Sequence, residues 1–168
     1  MRMLLLLTVL LLSGCVLVSF EDYVHDETQE ARQSINWGGG TRRLPDRALV
    51  IVPDFRQFTR SFPNPRAHLI VVTRAPQTLH IESATVRNMD SGKMRTLHFP
   101  QPVEVRQPLG RDGHYRGYLP LLEKPDFADF SGAAEIRLEV VYATAGGRKE
   151  TRTFLLKRKQ VRDFAWVT

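Results

Sequence analysis

The chain has 168 residues, of which 42% are hydrophobic and 25% are charged, and this composition is typical of a globular protein. Its length is sufficient for one domain with its own apolar core, and its formal net charge is +6. The single cysteine excludes an intramolecular disulfide, so the fold must depend on that core.

The chain opens with a pattern typical of a secretory signal. Arg2 precedes an apolar run from Met3 to Leu12, and two small residues follow this run. The four residues Leu-Ser-Gly-Cys at 12–15 resemble the lipobox of bacterial lipoproteins. The resemblance implies that residues 1–14 are a cleaved signal peptide and that Cys15 becomes a lipidated N-terminus. The lipid would then anchor the protein to a membrane.

An uncleaved signal anchor is the alternative interpretation of this region. The apolar character continues to Phe20, so that the run approaches the roughly 17–25 residues that span a bilayer as a helix. Both interpretations place the rest of the chain outside the cytoplasm, where nucleic acid is not an expected partner. Val16 follows Cys15, in place of the Asp that resembles an inner-membrane retention signal in enteric bacteria. The lipoprotein interpretation therefore predicts the outer membrane, with the domain on its periplasmic face.

The next segment has little periodicity, and we predict that residues 15–47 form a lipidated N-terminus and a flexible tether. The stretch from Phe20 to Asn36 is polar with a loose helical spacing, and three glycines at 38–40 interrupt any helix. A folded domain is predicted over 48–168. We expect the chain from about residue 46 onward to fold alone, without metal or disulfide.

From Ala48 onward, short runs rich in Val, Ile, Leu, Thr and Tyr alternate with turn residues, which indicates β-strands. The apolar phase shifts within Thr78–Asn88, and this predicts a bulge near Glu82 and Ser83. The strands before the C-terminal hairpin are expected at Ala48–Val52, His68–Thr73, Thr78–Asn88, Met94–Phe99, Val103–Arg106 and Tyr115–Leu119.

One segment between the first two strands has helical spacing. Phe55, Phe58 and Phe62 fall at i, i+3 and i+7, with Asp54 as a candidate cap and Pro63 as the end. These residues predict a short helix that crosses between strands.

The C-terminal hairpin has the clearest alternation. Leu138 and Val140 share a face with Phe154 and Leu156 if even-numbered residues oppose even-numbered residues, which requires a loop with an odd number of residues. A three-residue loop with a left-handed glycine meets this requirement. About seven to eight strands and one helical crossover predict an all-β fold, an immunoglobulin-like or related β-sandwich, with a small closed barrel as the alternative.

The sequence contains none of the common catalytic motifs. There is no Gly-x-Ser-x-Gly, no His-Glu-x-x-His and no phosphate-binding glycine loop. His25 and the two acids that follow it, at 25–27, would chelate a metal poorly, because they are adjacent positions on a predicted flexible tether. Phe127 and Phe130 are expected to plug the open end of a sandwich, which accounts for the acids beside them: Glu123, Asp126 and Asp129. We therefore predict no enzyme activity, cofactor, metal or small-molecule substrate.

Charge is distributed unevenly along the chain. Residues 21–30 contain five acids and no Lys or Arg, whereas residues 137–162 contain eight basic residues and two acids. The basic end suggests contact with an anionic surface, such as phospholipid headgroups, lipopolysaccharide phosphates or an acidic partner. A solvated basic surface is the alternative. The candidate contact residues are Lys157, Arg158, Lys159 and Arg162.

These features together predict a non-enzymatic, lipid-anchored envelope protein that serves as a binding or assembly module in the periplasm, with another envelope protein as its partner. By architecture alone the chain resembles the β-sandwich lipoprotein of type VI secretion systems. The alternative is an inhibitor or immunity lipoprotein that blocks a hydrolase by inserting a loop. That function would use the loops Gln107–Tyr115 and Glu123–Gly132.

Overall fold

The computed structural model describes residues 15–36, 44, 47–56, 66–110, 113–144 and 147–166. Two 3-10 turns (Asp26–Thr28 and Lys124–Asp126) and two short helices, α1 (Gln29–Asn36) and α2 (Phe127–Phe130), accompany the strands. The strands in these ranges are β1 (Cys15–Val24), β2 (Leu49–Arg56), β3 (Arg66–Thr73), β4 (Gln77–Asn88), β5 (Met94–His98), β6 (Val103–Val105), β7 (Gln107–Leu109), β8 (His114–Pro120), β9 (Glu135–Ala143) and β10 (Lys149–Trp166).

The strands form one antiparallel path in the order β5–β4–β9–β10–β1–β2–β3–β8–β7. The path curls, so that its two halves pack face to face around a common core. Ile81, Leu138 and Phe154 enter this core from one half, and Ile51 and Leu69 enter it from the other. The fold is therefore an all-β sandwich, as the alternation in the sequence predicts.

Strand β6 brings the far edges of the two halves together. It pairs with the first residues of β4 through Leu79 and Val103. It also lies directly against β8, because a Cβ at Gly117 would come within 2.5 Å of the backbone oxygen of Glu104. Only glycine allows so close an approach between two backbones.

Helix α1 covers the outer face of β2 and β3. Ala31 and Ile35 are one turn apart on the same face of the helix. They form a second, smaller apolar cluster with side chains that alternate with those of the main core, including Val50, Val52 and Ile70. Consequently β2 and β3 are buried on both faces.

The prediction of a flexible tether over 15–47 does not hold for the described residues of that segment. Strand β1 pairs with β10 along its full length and meets β2 at Tyr23 and Phe55. The Tyr23 side chain is completely buried, and its hydroxyl lies 2.9 Å from the carbonyl oxygen of Ala133, to which it donates. The acidic residues of β1 make it resemble a solvated segment in the sequence. In the fold these acids pair with basic residues from other segments, so they can belong to a strand.

The helix predicted from Asp54 to Pro63 is wrong at its start. Asp54, Phe55 and Arg56 are extended and belong to β2. Because α1 covers the outer face of this strand, its residues are buried on both faces, and the alternation that marks a half-exposed strand is lost. Residues 57–65, the remainder of the predicted helix, lie outside the described residues.

Two predicted irregularities of the strands are confirmed. The pairing of β4 with β9 slips between Ile81 and Ser83, which is the predicted bulge. In the C-terminal hairpin the N–H of Thr144 donates to the carbonyl oxygen of Arg148 at 2.9 Å, so the loop is three residues long. Gly147 in this loop has a φ of 74°. Phe154 lies opposite Leu138, as the odd-loop argument requires.

Replacing Leu138 by Ala should lower the free energy of unfolding by about 2–5 kcal/mol, because the side chain is completely buried. Its neighbour Arg137 points outward and has an ion pair of 3.6 Å with Glu139. Arg137→Ala should therefore cost about 0.5 kcal/mol or less. Urea melts of the two variants measure both values, and equal costs would contradict the register of the hairpin.

Candidate functional site

The residues of the predicted basic end lie on β10 beside the acidic segment of the chain. Lys157 Nζ is 3.3 Å from Asp26 Oδ2, and Arg158 Nη1 is 3.4 Å from Glu21 Oε1. Lys159 is exposed and has no ion pair among the described residues. The two charged segments of the sequence therefore partly neutralise each other across β1 and β10.

The backbone register brings the predicted lipidation site to the same end of the sheet. Cys15 lies opposite Trp166, and Ser19 lies opposite Arg162. A strand rises about 3.3 Å per residue, so the Arg162 backbone is about 13 Å along β10 from the level of Cys15. The predicted anchor and the predicted basic end are therefore neighbours in the fold.

The loop with three acids closes the open end of the core, as predicted. Phe127 and Phe130 are each 2% exposed and belong to the main core. The carboxylate of Asp126 pairs with Arg95, and that of Asp129 pairs with Lys93. Different basic residues thus hold the two acids.

The two loops assigned to an inhibitor are also held in the fold. Glu123–Gly132 contains the buried phenylalanines and accepts a hydrogen bond from Tyr23 at the Phe130 carbonyl, 3.2 Å away. Gln107–Leu109 is β7, which pairs with β8 from Arg116 to His114. Residues 111 and 112 lie outside the described residues.

The histidine and acids at 25–27 do not converge. The His25 ring meets Phe154 edge-on at 5.3 Å, and its Nδ1 is 3.3 Å from Thr28 Oγ1, while Asp26 pairs with Lys157. Within the described ranges, no three His, Cys, Asp or Glu side chains form a group that could hold a metal ion. None of the described helices is long and apolar enough to cross a membrane.

A buried charge cluster joins α1 to the sheet. Arg56 binds Asp54 through two nitrogens, with Nε 2.7 Å from Oδ1 and Nη2 3.0 Å from Oδ2. Arg32 on α1 lies 3.2 Å from Asp22 Oδ2 and 4.0 Å from Asp54 Oδ1. Asp54 is 1% exposed. Because two guanidinium groups pair with two carboxylates, we interpret this cluster as a structural link.

His68 lies opposite Asp54 on the neighbouring strand β3. Burial lowers the pKa of His68 below its usual value, and the nearby Asp54 carboxylate opposes this effect. The ring is therefore predominantly neutral at pH 7. It adds no charge to the cluster at that pH.

A groove of about 450 Å³ opens between β2 and the first half of β10. Core residues Ile51 and Phe154 line it together with Val50 and Thr153, which belong to the opposite faces of the same strands. A cavity on one face of a sheet would be lined by alternate residues, whereas a gap between two strand edges is lined by both sets. The groove is therefore a gap within the sheet.

The gap exists because β1 separates β10 from β2 and then leaves the sheet. Beyond Val24 the chain turns away through Asp26–Thr28 into α1. The remaining edge of β10, from Lys149 to Leu156, has no strand partner on this side among the described residues. Among the described residues, the 25–28 turn lies between the two edges, at one end of the groove.

The walls of the groove carry more positive than negative charge. Arg47 is exposed at one wall, and Arg152 at the other lies 5.8 Å from the centre of the Tyr142 ring. Glu27 is the acid that lines the same space. Burial and a hydrogen bond to Glu150 raise the pKa of Tyr142, so its hydroxyl stays protonated at neutral pH. The volume falls within the range of about 300–1,000 Å³ typical of ligand sites.

The sequence alone does not indicate this groove, because the residues of β1 resemble part of a tether. The groove depends on β1 lying between β10 and β2 for part of their length. The spacing of Phe20, Tyr23 and Val24 was the available signal, but the acids between them weakened it. Comparison of the chain with protein-family models, with curated proteins and with solved structures finds no match.

Proposed function

We propose that this chain is a lipid-anchored, non-enzymatic protein of the bacterial envelope that serves as a binding module on the periplasmic face of the outer membrane. The observation that carries the proposal is the Leu-Ser-Gly-Cys sequence at 12–15, with Cys15 at the start of a strand of the folded body. The lipid would then be attached almost directly to the sheet.

The register of β1 against β10 supports a body held close to the membrane. Residues 15–19 and 162–166 pair as a two-stranded ribbon. A paired ribbon is stiffer than a single flexible chain, since its backbone groups are bonded to each other. Of the four candidate contact residues, Arg162 would lie nearest to the headgroups in this arrangement, where cations are attracted to anionic lipid.

The groove lies at the other end of β10 and supports the binding role. Thr153 at the groove and Trp166 beside Cys15 are thirteen residues apart on one strand. At about 3.3 Å per residue this separation is about 43 Å along the strand. A partner could therefore reach the groove from the periplasm without meeting the bilayer.

We expect Cys15 to be the acylated N-terminus of the mature protein. Intact-mass analysis should find the chain without residues 1–14 and with the added mass of acyl chains. Cys15→Ser should abolish the added acyl mass and should leave residues 1–14 attached, because the lipobox resemblance implies that cleavage occurs before a lipidated cysteine. Ser13→Ala keeps a small residue before the cysteine and serves as the matched control.

Two results would count against this proposal. An unmodified mass that starts at Met1 would exclude lipidation. Sedimentation of the wild-type chain with the inner membrane in a sucrose gradient would exclude the outer-membrane location.

A further inference from the structure

We propose that the groove between β2 and β10 binds an extended, acidic peptide segment of another envelope protein, which adds a strand between the two edges. This inference names the partner class for the proposed binding function and rests on it.

The edge of β10 presents backbone groups to the groove that have no strand partner among the described residues. At both ends of the β9–β10 pair, even-numbered residues of β10 bond to β9, since Thr144 N–H donates to the Arg148 carbonyl oxygen and Arg158 N–H donates to the Ala134 carbonyl oxygen, both at 2.9 Å. Backbone groups along an antiparallel strand alternate in direction. The odd-numbered residues Thr151 and Thr153 therefore direct their N–H and C=O groups away from β9.

The edge of β2 on the other side of the groove has the same character. Phe55 faces Tyr23 of β1, so residues at even spacing from Phe55 face the same side of β2. Ile51 is one of these residues, and its N–H and C=O groups point into the groove. Pro53 lies between them and has no N–H, which is tolerated where a strand edge lacks a partner.

The directions of the strands allow one inserted strand to use both edges. Strand β1 runs antiparallel to both β10 and β2, so these two strands run parallel to each other. A peptide that continues the line of β1 beyond the 25–28 turn would be antiparallel to both. Unpaired edges of this kind are templates for strand addition, a common mode of peptide recognition.

The side chains at the groove define the kind of peptide. Alternate residues of an inserted strand would face Ile51 and Phe154, which are 1% and 4% exposed and favour an apolar side chain. Arg47 and Arg152 flank the groove, and neither has an ion pair among the described residues. Arg152 lies on the same face of β10 as Phe154, two residues away. A carboxylate two positions from the apolar side chain of the peptide would therefore pair with it, and a carboxylate at the other wall would pair with Arg47. The expected ligand combines an apolar residue with acidic residues, one of them two positions away.

A library of linear heptapeptides displayed on phage tests this inference. The bait is the full chain in detergent, and enriched peptides are then synthesised. We expect enrichment of sequences with an apolar residue and an acidic residue two positions apart. Arg47→Glu should weaken their binding about tenfold or more, because it turns a charge-assisted contact into a repulsive one. Arg87→Glu on β4 makes the same charge change away from the groove and should leave binding unchanged.

A second variant and a second measurement locate the peptide. Thr153→Pro removes a groove-facing N–H without removing a bond to β9, and it should also weaken binding. Hydrogen exchange at residues 149–156 should slow when the peptide binds, because free edge amides become bonded. If no peptide is enriched, the inference is wrong. Enriched peptides that bind both variants as well as wild type, or that leave exchange at 149–156 unchanged, would also overturn it. The Cys15 tests decide the anchor independently.

Discussion

A chain that begins at residue 46 should fail to fold cooperatively, whereas a chain that begins at Cys15 should melt in one transition. The shorter chain lacks β1, the strand that joins β10 to β2 in the sheet. It also lacks α1, which covers the outer faces of β2 and β3. This reverses our expectation, based on the sequence alone, that the chain from about residue 46 folds by itself.

The expected size of the effect follows from the side chains that the truncation removes. Phe20, Tyr23, Val24 and Ile35 are all buried. Each large apolar side chain contributes about 1.5–3 kcal/mol when it is fully buried. Their combined loss is comparable with the whole stability of a typical domain, about 5–15 kcal/mol. Loss of Tyr23 also removes the hydroxyl that donates to the carbonyl oxygens of Phe130 and Ala133.

Far-UV circular dichroism and thermal melting compare the two chains directly. The chain that begins at Cys15 is the control for loss of the signal sequence alone. A cooperative β-type melt of the chain that begins at residue 46, with a midpoint near that of the longer chain, would contradict the placement of β1 in the centre of the sheet.

Asp54→Ala should lower the free energy of unfolding by about 3–5 kcal/mol, the second large effect that we expect. Asp54 is 1% exposed and pairs with Arg56 through two nitrogens. Removing the carboxylate takes the Asp54 ion pair from the guanidinium of Arg56 and leaves that of Arg32 with Asp22 and the Tyr23 carbonyl oxygen. Breaking a buried pair on one side is far more costly than losing an exposed pair, because the remaining charge is desolvated without compensation.

Asp26→Ala is the matched control, since it removes an aspartate from an ion pair at the surface. The Asp26 and Lys157 side chains are 74% and 55% exposed, and loss of this pair should cost about 1 kcal/mol or less. Urea melts at pH 7 measure both variants. Similar small costs at the two positions would show that the cluster around Asp54 is open to water.

Strand and turn signals predict much of this fold because they are local. The bulge near Glu82 follows from the phase of Leu79, Ile81, Ala84 and Val86, all of which are buried. The hairpin register follows from alternation and from the parity of its loop. These properties depend on residues that are close in the chain, so the sequence indicates them without knowledge of the remaining fold.

Other features depend on residues that are far apart in the chain. Acids at 21 and 22 resemble those of a solvated segment until Arg158 and Arg32 are placed beside them. Asp54 resembles a helix cap next to three spaced phenylalanines, although the α1 layer and Arg56 make it part of a strand buried on both faces. Local patterns mislead at these positions because long-range charge pairing offsets the cost of burying polar groups.

The sequence by itself determined the all-β class, the hairpin register, the bulge and the closing role of Phe127 and Phe130, because each depends on periodicity within a short segment. It also contains Leu-Ser-Gly-Cys at 12–15, the linear pattern on which the proposed lipid anchor rests. Only the tertiary structure decided the central place of β1, the buried charge cluster and the groove between β2 and β10. Each of these arises where segments that are not neighbours in the chain meet side by side, such as β1 and β10 or the segments that carry Asp22 and Asp54.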